Sequence, residues 1–510
     1  MKVIALYLPQ FHRVPENDLW WGEGYTEWTA VKKAEKLKED HYQPHIPLNN
    51  NYYDLLQKET MQWQTELMKK YKVYGMCFYH YYFQNGRKIL EKPAENLLKW
   101  KDIDMPFCFS WANETWARTW SKVAGKNSWN SLEESNYSEE DNGILLRQNY
   151  GEEKDWEEHF NYLFPFFADD RYIKVEKKPV FVIHRPDSIA CLTLMMQKWN
   201  ELAHNKGMEG VYFVASNSDR EGFDGYLRQE SNYSDVDRKS QIVDYDELCR
   251  KIVRNAVLAD NNCYLCGFPG YDDTPRRGKD GEIIENSSPE KFYDLMRTLF
   301  WLGDSRGNEF TFVNAWNEWG EGMHLEPDEK YGYGYLEALE KALSDYREID
   351  EKIKRDLTAL AYKNIGETKE SAEENSRLRK YGYLMRLFDK WLCLKERGKT
   401  LQPYFEHKKY KYIAIYGLGM AGNHLIADIE NTSMKIVYGI DKLGSQIRRN
   451  FPIYTPDTKL PEADVMVVSV IYDYDRIYIS LKERFNGPIV SLEEIIDYVE
   501  GELPHEVRES

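Results

Sequence analysis

The alternation of short apolar runs with helix-like stretches constrains the fold of this chain more than any other feature. The runs are rich in β-branched and aromatic residues, and stretches such as 53–71 and 289–302 separate them. Parallel strands that alternate with helices over about 330 residues favour an α/β fold, a (β/α)8 barrel of the TIM type. The predicted strands are 3–8, 74–82, 107–111, 180–184, 211–215, 264–268 and 310–315.

These seven runs leave at least one barrel strand unassigned. Residues 127–156 and 217–246 are polar and irregular, so both are predicted to be long loops or insertions. The barrel is predicted to occupy residues 1–345. Charged, helical residues 346–409 are predicted to form a connector, and residues 410–510 a small Rossmann-like parallel α/β domain.

Polar and aromatic side chains lie at or just after most of the predicted strand ends. In a barrel enzyme the site is assembled from the C-terminal ends of several strands, so these side chains are expected to meet there. We interpret them as binding partners of a ligand, with support of the barrel rim as an equally weighted alternative. They are Tyr7, Gln10, His12, His80, Tyr81, Trp111, Asn113, Glu114, Arg118, His184, Arg185 and Asn317.

The segment NAWNEWGEG, residues 314–322, follows the last predicted strand. Residues three apart on a strand face opposite sides, but Gly320 and Gly322 allow a turn that brings Glu318 and Glu321 to one cavity. Low-dielectric walls and a like charge would raise the pKa of one carboxyl group and leave its partner ionised. Cleavage of a glycosidic bond requires such a pair. A solvated surface pair is the alternative.

Tryptophan is frequent in this segment and after the first strand. Trp316 and Trp319 are expected to border the cavity, exclude water and offer flat faces to a sugar ring. Trp20, Trp21 and Trp28 are predicted to lie in a Gly-rich loop, where packing in a core is hard to explain. Sugar stacking is therefore favoured over packing for these three rings.

A second glycine motif opens the C-terminal unit. The strand 412–416 runs into GLGMAG, a helical segment and a second strand that ends at Asp441. In this context Gly417, Gly419 and Gly422 permit a tight turn and close approach of a pyrophosphate, and Asp441 could accept from a ribose hydroxyl. A nucleotide or nucleotide-sugar is the expected ligand. The alternative is a Rossmann-like unit that binds nothing, because the unit is half a complete dinucleotide fold.

Composition and charge limit the partners and the cellular compartment that we expect for this chain. The formal net charge of −17 argues against nucleic acid, and no apolar stretch reaches the length of a membrane span. Seven scattered cysteines and the absence of a signal-peptide pattern are typical of a cytoplasmic protein. Cys263 and Cys266 form a lone CxxC without a second pair. Pro44 between His41 and His45 argues against a helical metal pair, so no catalytic metal is predicted.

The loop sequence NAWNEWGEGMHLEPD, residues 314–328, resembles the catalytic loop of glycoside hydrolase family 99, the endo-α-mannosidases and endo-α-mannanases. Roughly residues 1–340 resemble the WbsX family, family 99-like proteins of bacterial O-antigen and capsule clusters. The motifs that carry this resemblance are YLPQFH, NDLWWGEGYTEW, YQPHIP, FYHYYFQNGR, FCFSWANETWARTW, HRP and YDDTPRR.

The resemblance implies a (β/α)8 barrel and a retaining mechanism. Glu318 would assist attack of the sugar's own 2-hydroxyl on the anomeric carbon, giving a 1,2-anhydro intermediate, and Glu321 would act as acid and base. No cofactor is required for this chemistry. The implied substrate is an oligosaccharide or lipid-linked glycan of bacterial surface polysaccharide, with peripheral association to the assembly machinery.

Two alternatives stay open. A glycosyltransferase of the same pathway would use a nucleotide-sugar or lipid-linked donor, although no DxD motif flanked by apolar strand residues stands out. A non-catalytic glycan-binding or regulatory protein is the third hypothesis.

Overall fold

The structure is a computed structural model, and it describes residues 1–117, 144–218, 220–229, 242–350, 354–355, 384–385, 387–430, 432–482 and 484–501. The chain divides into two compact units. The first comprises Met1–Pro186 and Gln197–Gly366, and the second comprises Asp187–Met196 and Glu367–Ser510. Among the described residues, none of the helices is both long and apolar enough to cross a bilayer.

Eight parallel strands form a closed barrel in the first unit, because β1 pairs with both β2 and β8. The barrel order is β1-β2-β3-β4-β5-β6-β7-β8. The predicted (β/α)8 barrel is confirmed. The strands are β1 Lys2–Tyr7, β2 Val73–Tyr82, β3 Phe107–Trp111, β4 Lys178–Ile183, β5 Tyr212–Ser216, β6 Gly225–Arg228, β7 Cys263–Gly267 and β8 Phe310–Val313.

The strand that the sequence did not reveal is β6. The prediction of a loop over 217–246 was wrong here, because Gly225–Arg228 pairs with both β5 and β7. The strand has four residues, and only alternate positions are buried. Such a short run carries too little apolar periodicity to be recognised. Residues 127–143 of the other predicted loop lie outside the described residues, and a helix begins at Glu153 within its predicted range.

Helices surround the barrel, and two of them show why they begin where they do. Asp244 accepts hydrogen bonds from the backbone of Asp246 and Glu247, and Ser288 caps a helix that begins with Pro289. The helices of the first unit are α1 Pro15–Trp21, α2 Glu27–Lys33, α3 Lys58–Lys70, α4 Lys92–Lys99, α5 Glu153–Phe167, α6 Leu192–Asn205, α7 Tyr245–Leu258, α8 Thr274–Arg277, α9 Pro289–Ser305 and α10 Gly334–Asp345, with the first residues of α6 grouped in the second unit.

The second unit contains a five-stranded parallel sheet in the order β11-β10-β9-β12-β13. This is the strand order 3-2-1-4-5 of a Rossmann-like sheet. Its strands are β9 Tyr412–Tyr416, β10 Lys435–Ile440, β11 Ile453–Tyr454, β12 Val465–Val468 and β13 Ile489–Ser491, and its helices are α11 Gln402–Lys408, α12 Met420–Ile429, α13 Tyr474–Lys482 and α14 Leu492–Gly501.

Part of the predicted connector belongs to the core of this unit. Residues 387–396 are helical. Leu387, Trp391 and Leu394 are buried in one apolar cluster with Ile413 and Ile415 of β9. This stretch of the charged sequence therefore covers one face of the sheet.

Candidate functional site

The loop after β8 folds back on itself immediately after the barrel. Asn317–Glu318 pairs antiparallel with Met323–His324, and a 3-10 turn over Trp319–Glu321 joins them. Gly322 closes the turn at φ 59°, in the left-handed region that favours glycine. The turn keeps both glutamates of the motif on one side of the loop, as the sequence predicted.

A single guanidinium joins the two carboxylates. Arg276, at the end of α8, donates from Nη2 to Glu318 (2.9 Å) and from Nη1 to Glu321 (2.5 Å). Its Nε donates to Glu27 at the start of α2 (2.6 Å). Three carboxylates therefore share one cation, and we call Glu27, Arg276, Glu318 and Glu321 the carboxylate cluster.

Gly320 makes room for this cluster. A Cβ atom at residue 320 would lie 1.8 Å from a carboxylate oxygen of Glu27 and 2.8 Å from Nε of Arg276. At separations below 3.0 Å, any side chain at this position would force Glu27 or Arg276 to move. The glycine is therefore needed for the close approach of the ion pair, beyond any role in the turn.

Burial and mutual repulsion shift the protonation of the cluster. Burial and then the negative charge of Glu318 raise the pKa of Glu321 from 4.5 to about 8. Burial also raises the pKa of Glu318, and the charge of Arg276 opposes this shift. Glu321 therefore holds a proton near neutral pH.

Two tyrosines of β2 face the cluster. Burial and the charge of Glu318 raise the pKa of both Tyr79 and Tyr81 well above the ordinary value. The ring of His184, after β4, lies 6.3 Å from that of Tyr79 in an edge-to-face arrangement. Tyr81 and His184 were predicted as site residues and are brought to the barrel mouth.

Another buried acid, Glu326, lies outside the carboxylate cluster. It accepts hydrogen bonds from Trp319 Nε1, Tyr53 Oη and Gln64 Nε2, each at 2.7 Å. Burial raises the pKa of Glu326 to about 7, and these donors oppose the shift. Tyr7 donates to the amide oxygen of Gln64 and so also belongs to this support.

Other residues that were predicted to bind substrate lie on the outer face of the barrel wall. His80 forms a 2.9 Å contact with His159 of α5, and burial lowers its pKa to about 3. The ring of Trp111 lies 4.9 Å from that of His159, and its Nε1 donates to the carbonyl of Tyr82. Successive side chains of a strand point to opposite faces, so His80 turns away while Tyr79 and Tyr81 turn inward.

The prediction of a loop for the tryptophans after β1 was wrong. Trp20 and Trp21 end α1, where both are half-buried, and the ring of Trp20 lies 5.9 Å from that of Trp116. Trp28 lies in α2 and is buried against Phe11. The short helices give these rings neighbours that a loop would not, so Trp28 has a packing role.

Trp316 and Trp319 are also interior. Both are buried, and Trp319 stacks on His324 with ring centroids 3.6 Å apart. Neither ring offers a free face to a ligand in this structure. They stabilise the loop that carries the glutamates.

The remaining predicted residues hold the ends of strands together. Asn317 exchanges hydrogen bonds with the backbone of Leu8, and Asn113 does the same with Arg185. Glu114 and Arg185 form an ion pair with each other. His12 is buried, and the carbonyl of Gln10 accepts a hydrogen bond from the backbone N–H of Glu27. Arg118 lies outside the described residues.

Sequence reasoning missed Glu27, Arg276, Tyr79 and Glu326. Glu27 and Arg276 are 249 residues apart, so no spacing connects them. Both residues lie in motifs that carry the family resemblance, GYTEW and YDDTPRR, but neither residue was predicted to belong to the site. Tyr79 could have been found, because it shares a strand face with Tyr81 at a spacing of two.

The glycine motif of the second unit forms the predicted turn. Gly417 has φ 90°, and a Cβ at Gly422 would lie 2.0 Å from the carbonyl oxygen of Gly417, whereas no atom lies within 4 Å of a Cβ at Gly419. Asp441 accepts from the backbone of Leu418 (2.9 Å) and of Leu443 (3.0 Å). The acid therefore braces the turn.

The sequence profile of the family described as "Glycosyltransferase WbsX" matches residues 3–339. Two curated proteins of Xanthomonas campestris pv. campestris, from strains ATCC 33913 and B100, are each named "Uncharacterized protein WxcX". Each is 30% identical to this chain over an alignment of 363 positions, which covers 67% of this chain and 49% of the relative. The chain thus spans about half the length of these relatives.

Among solved structures, the GH99 endo-alpha-mannosidase of Bacteroides thetaiotaomicron has a TM-score of 0.41 and 13% identity, covering 68% of this chain and 97% of that one. A structure titled "Glycoside hydrolase-like protein" has a TM-score of 0.41 and 12% identity, covering 67% and 93%. Identities this low do not carry chemistry from one chain to another.

Proposed function

We propose, since the chain belongs to the glycosyltransferase WbsX family, that it is a glycan-active enzyme whose reaction uses Glu318 and Glu321. The observation that carries the proposal is the shared guanidinium of Arg276, which holds both carboxylates at one place in a partly closed site. Glu321 is 26% exposed and Glu318 is 7% exposed. A ligand can therefore reach the first more easily than the second.

The protonation of the cluster supports different roles for the two acids. Glu318 would take the proton of the sugar's 2-hydroxyl, whose oxygen attacks the anomeric carbon as the glycosidic bond breaks. Glu321, protonated near neutral pH because its pKa is about 8, would give its proton to the departing oxygen. Glu321 would then accept a proton from water or an acceptor hydroxyl, which opens the 1,2-anhydro ring while Glu318 returns its proton to the 2-oxygen.

The acceptor decides between hydrolysis and transfer. Both reactions need the same two carboxylates, and the description of the family favours transfer to a second sugar. We propose an oligosaccharide or lipid-linked glycan of bacterial surface polysaccharide as the donor, with a nucleotide-sugar donor as the second candidate. A nucleotide at the Gly417 turn is a separate proposal, supported by the open space beside Gly419.

The test is a screen of oligosaccharides and nucleotide sugars for bond cleavage, with and without added sugar acceptors. We expect Glu318→Gln and Glu321→Gln each to lower kcat by about 100- to 10,000-fold, the usual contribution of an acid or base. Glu337→Gln, at an exposed glutamate of α10, is the matched control and should leave the rate unchanged.

An activated leaving group separates the two roles. A donor with a nitrophenolate leaving group needs little protonation, so Glu321→Gln should still release a first burst of nitrophenolate from it, whereas Glu318→Gln should not. Wild-type rates in both variants would refute the proposal. Retained glycan binding with no turnover by any form of the protein would favour the non-catalytic hypothesis instead.

A further inference from the structure

Two histidines and an aspartate meet behind the catalytic loop. Nδ1 of His45 lies 2.9 Å from Nε2 of His324. One ring nitrogen of each histidine and one carboxylate oxygen of Asp328 all lie within 4.8 Å of one another. His45 precedes α3 by 13 residues, whereas His324 belongs to the short strand that pairs with Asn317–Glu318. No residue spacing in the sequence signals this group.

A hydrogen bond to the backbone determines which ring nitrogen of His324 can act as a metal ligand. Its Nδ1 lies 2.9 Å from the backbone carbonyl of Glu326, and a carbonyl oxygen can only accept. The proton of neutral His324 is therefore on Nδ1, and Nε2 carries a lone pair directed toward His45. A backbone carbonyl that orients a histidine in this way is the usual outer partner of a metal-bound imidazole.

Asp328 is also held in place. One carboxylate oxygen accepts from the backbone of Tyr331 (2.6 Å) and the other from the hydroxyl of Tyr42 (3.1 Å). A carboxylate has about four acceptor positions, so two remain for a further ligand. Asp272 and Lys330 also act electrostatically on His45, with opposite signs. Asp272 near His45 and Asp328 near His324 would supply negative charge to a bound cation, and the positive charge of Lys330 would offset part of it.

We propose that His45, His324 and Asp328 bind a divalent transition-metal cation of the zinc class. Two imidazole nitrogens and one carboxylate oxygen form a ligand set that zinc accepts, and water would complete it. Neutral His45 needs only to carry its proton on Nε2, so that Nδ1 becomes a ligand. Zinc binds each ligand at about 2.0–2.2 Å, so the three side chains would draw closer together on binding the ion.

The cation would have a structural role. It would join residues 42–47 to residues 323–328, and His324 stacks directly on Trp319 between the two glutamates of the catalytic loop. The inference does not depend on the proposed function, because binding can be measured without a substrate. It adds no group to the proposed chemistry.

The experiment titrates the chelator-treated full chain with Zn²⁺ by calorimetry and records Tm with and without the ion. We expect one ion per chain and a higher Tm in its presence. His45→Gln and Asp328→Asn should each weaken binding by more than about 100-fold, because loss of an outer partner alone costs about 10- to 100-fold. His204→Gln, at an exposed histidine of α6, is the matched control and should bind as the wild type does.

The absorption spectrum of the Co²⁺ form identifies the ligands. Nitrogen and oxygen ligands alone should give no sulfur-to-metal charge-transfer band. Such a band would move the site to cysteines and overturn the proposal, as would unchanged affinity in either variant or no binding by the wild type. If His45→Gln does not fold, Asp328→Asn retains the side-chain shape and decides the result.

Discussion

The barrel mouth and the glycine turn of the second unit both place acidic groups beside a glycine, but their charges are balanced differently. Glu27, Glu318 and Glu321 share one guanidinium, whereas Asp441 accepts a backbone N–H at each oxygen. One cation cannot compensate three carboxylates in a buried place, and the cluster keeps a proton on Glu321 near neutral pH. Asp441, in contrast, receives a hydrogen bond from the backbone at each oxygen even when no ligand is bound.

This difference indicates which of the two regions can exchange a proton with a substrate. Buried, uncompensated carboxylates hold protons that they can exchange with a substrate, as the raised pKa of Glu321 indicates. A carboxylate satisfied by backbone donors stabilises its turn whether or not a ligand binds. Two motifs that are equally visible in the sequence therefore differ in how much they depend on a ligand.

The largest loss of stability is expected when the shared cation, Arg276, is removed. Arg276→Met leaves buried carboxylates without their partner, and breaking a buried ion pair costs about 3–5 kcal/mol. The free energy of unfolding, measured with urea, should fall by that amount. Arg277→Met, at the more exposed neighbouring arginine that pairs with Asp273, should cost below about 1 kcal/mol.

A second substitution tests the cause of this loss. Adding Glu27→Gln to Arg276→Met removes one of the uncompensated charges, so the double variant should be more stable than Arg276→Met alone. If it is less stable, the charges are not the source of the cost and the comparison with Asp441 fails.

The two regions should also respond differently to an added methyl group. Gly320→Ala forces Glu27 or Arg276 to move, because its Cβ would lie 1.8 Å from Glu27, and overpacking of this kind costs about 1–3 kcal/mol. Gly419→Ala meets no atom within 4 Å, so stability should change by about 1 kcal/mol or less. Urea unfolding of both variants measures the contrast, and equal losses would contradict it.

The proton of the cluster predicts a pH dependence. Since burial raises the pKa of Glu321 from 4.5 to about 8, the folded state binds a proton that the unfolded state releases between these values. The free energy of unfolding should therefore fall as pH rises from 4.5 to 8, by up to about 1.4 kcal/mol per pH unit.

Glu321→Gln isolates this contribution. Its unfolding free energy, measured at several pH values, should fall less steeply across the same range than that of the wild type. Turnover by the wild type should also decline above about pH 8, where the proposed acid loses its proton. Parallel stability profiles would show that the titrating proton belongs elsewhere.

The smallest effect is expected at the glycine turn. Asp441→Asn keeps one acceptor oxygen and loses the other, so the cost should be about 1 kcal/mol. If the second unit binds a nucleotide through this acid, calorimetric titration with UDP or NAD should show weaker binding in the variant. Asp457→Asn, at an aspartate that is 94% exposed, is the control and should change neither quantity.

Patterns within single segments predicted much of the fold. Seven of the eight barrel strands were recognised within a few residues of their observed bounds, because each contains several consecutive apolar residues. The turn at 319–322 was predicted from its glycines. The same approach failed for β6, whose four residues carry no clear period, and for His80, which lies beside Tyr79 but on the opposite face of β2.

Aromatic residues show a second limit. Trp28, Trp316 and Trp319 were predicted as sugar-stacking residues because of their neighbours in the sequence, and the structure buries all three. A tryptophan has the same side chain in a core and in a cleft. Only its neighbours in space distinguish the two environments.

The sequence by itself determined the barrel, the Rossmann-like turn and the adjacency of Glu318 and Glu321, because local periodicity and glycine placement act within a few residues of the chain. Only the tertiary structure decided that Arg276 and Glu27 complete the carboxylate cluster, and that His45 meets His324. The physical reason is that charge compensation and side-chain ligation depend on distances of about 3 Å. Residues more than 200 positions apart reach such distances only through the closure of the barrel.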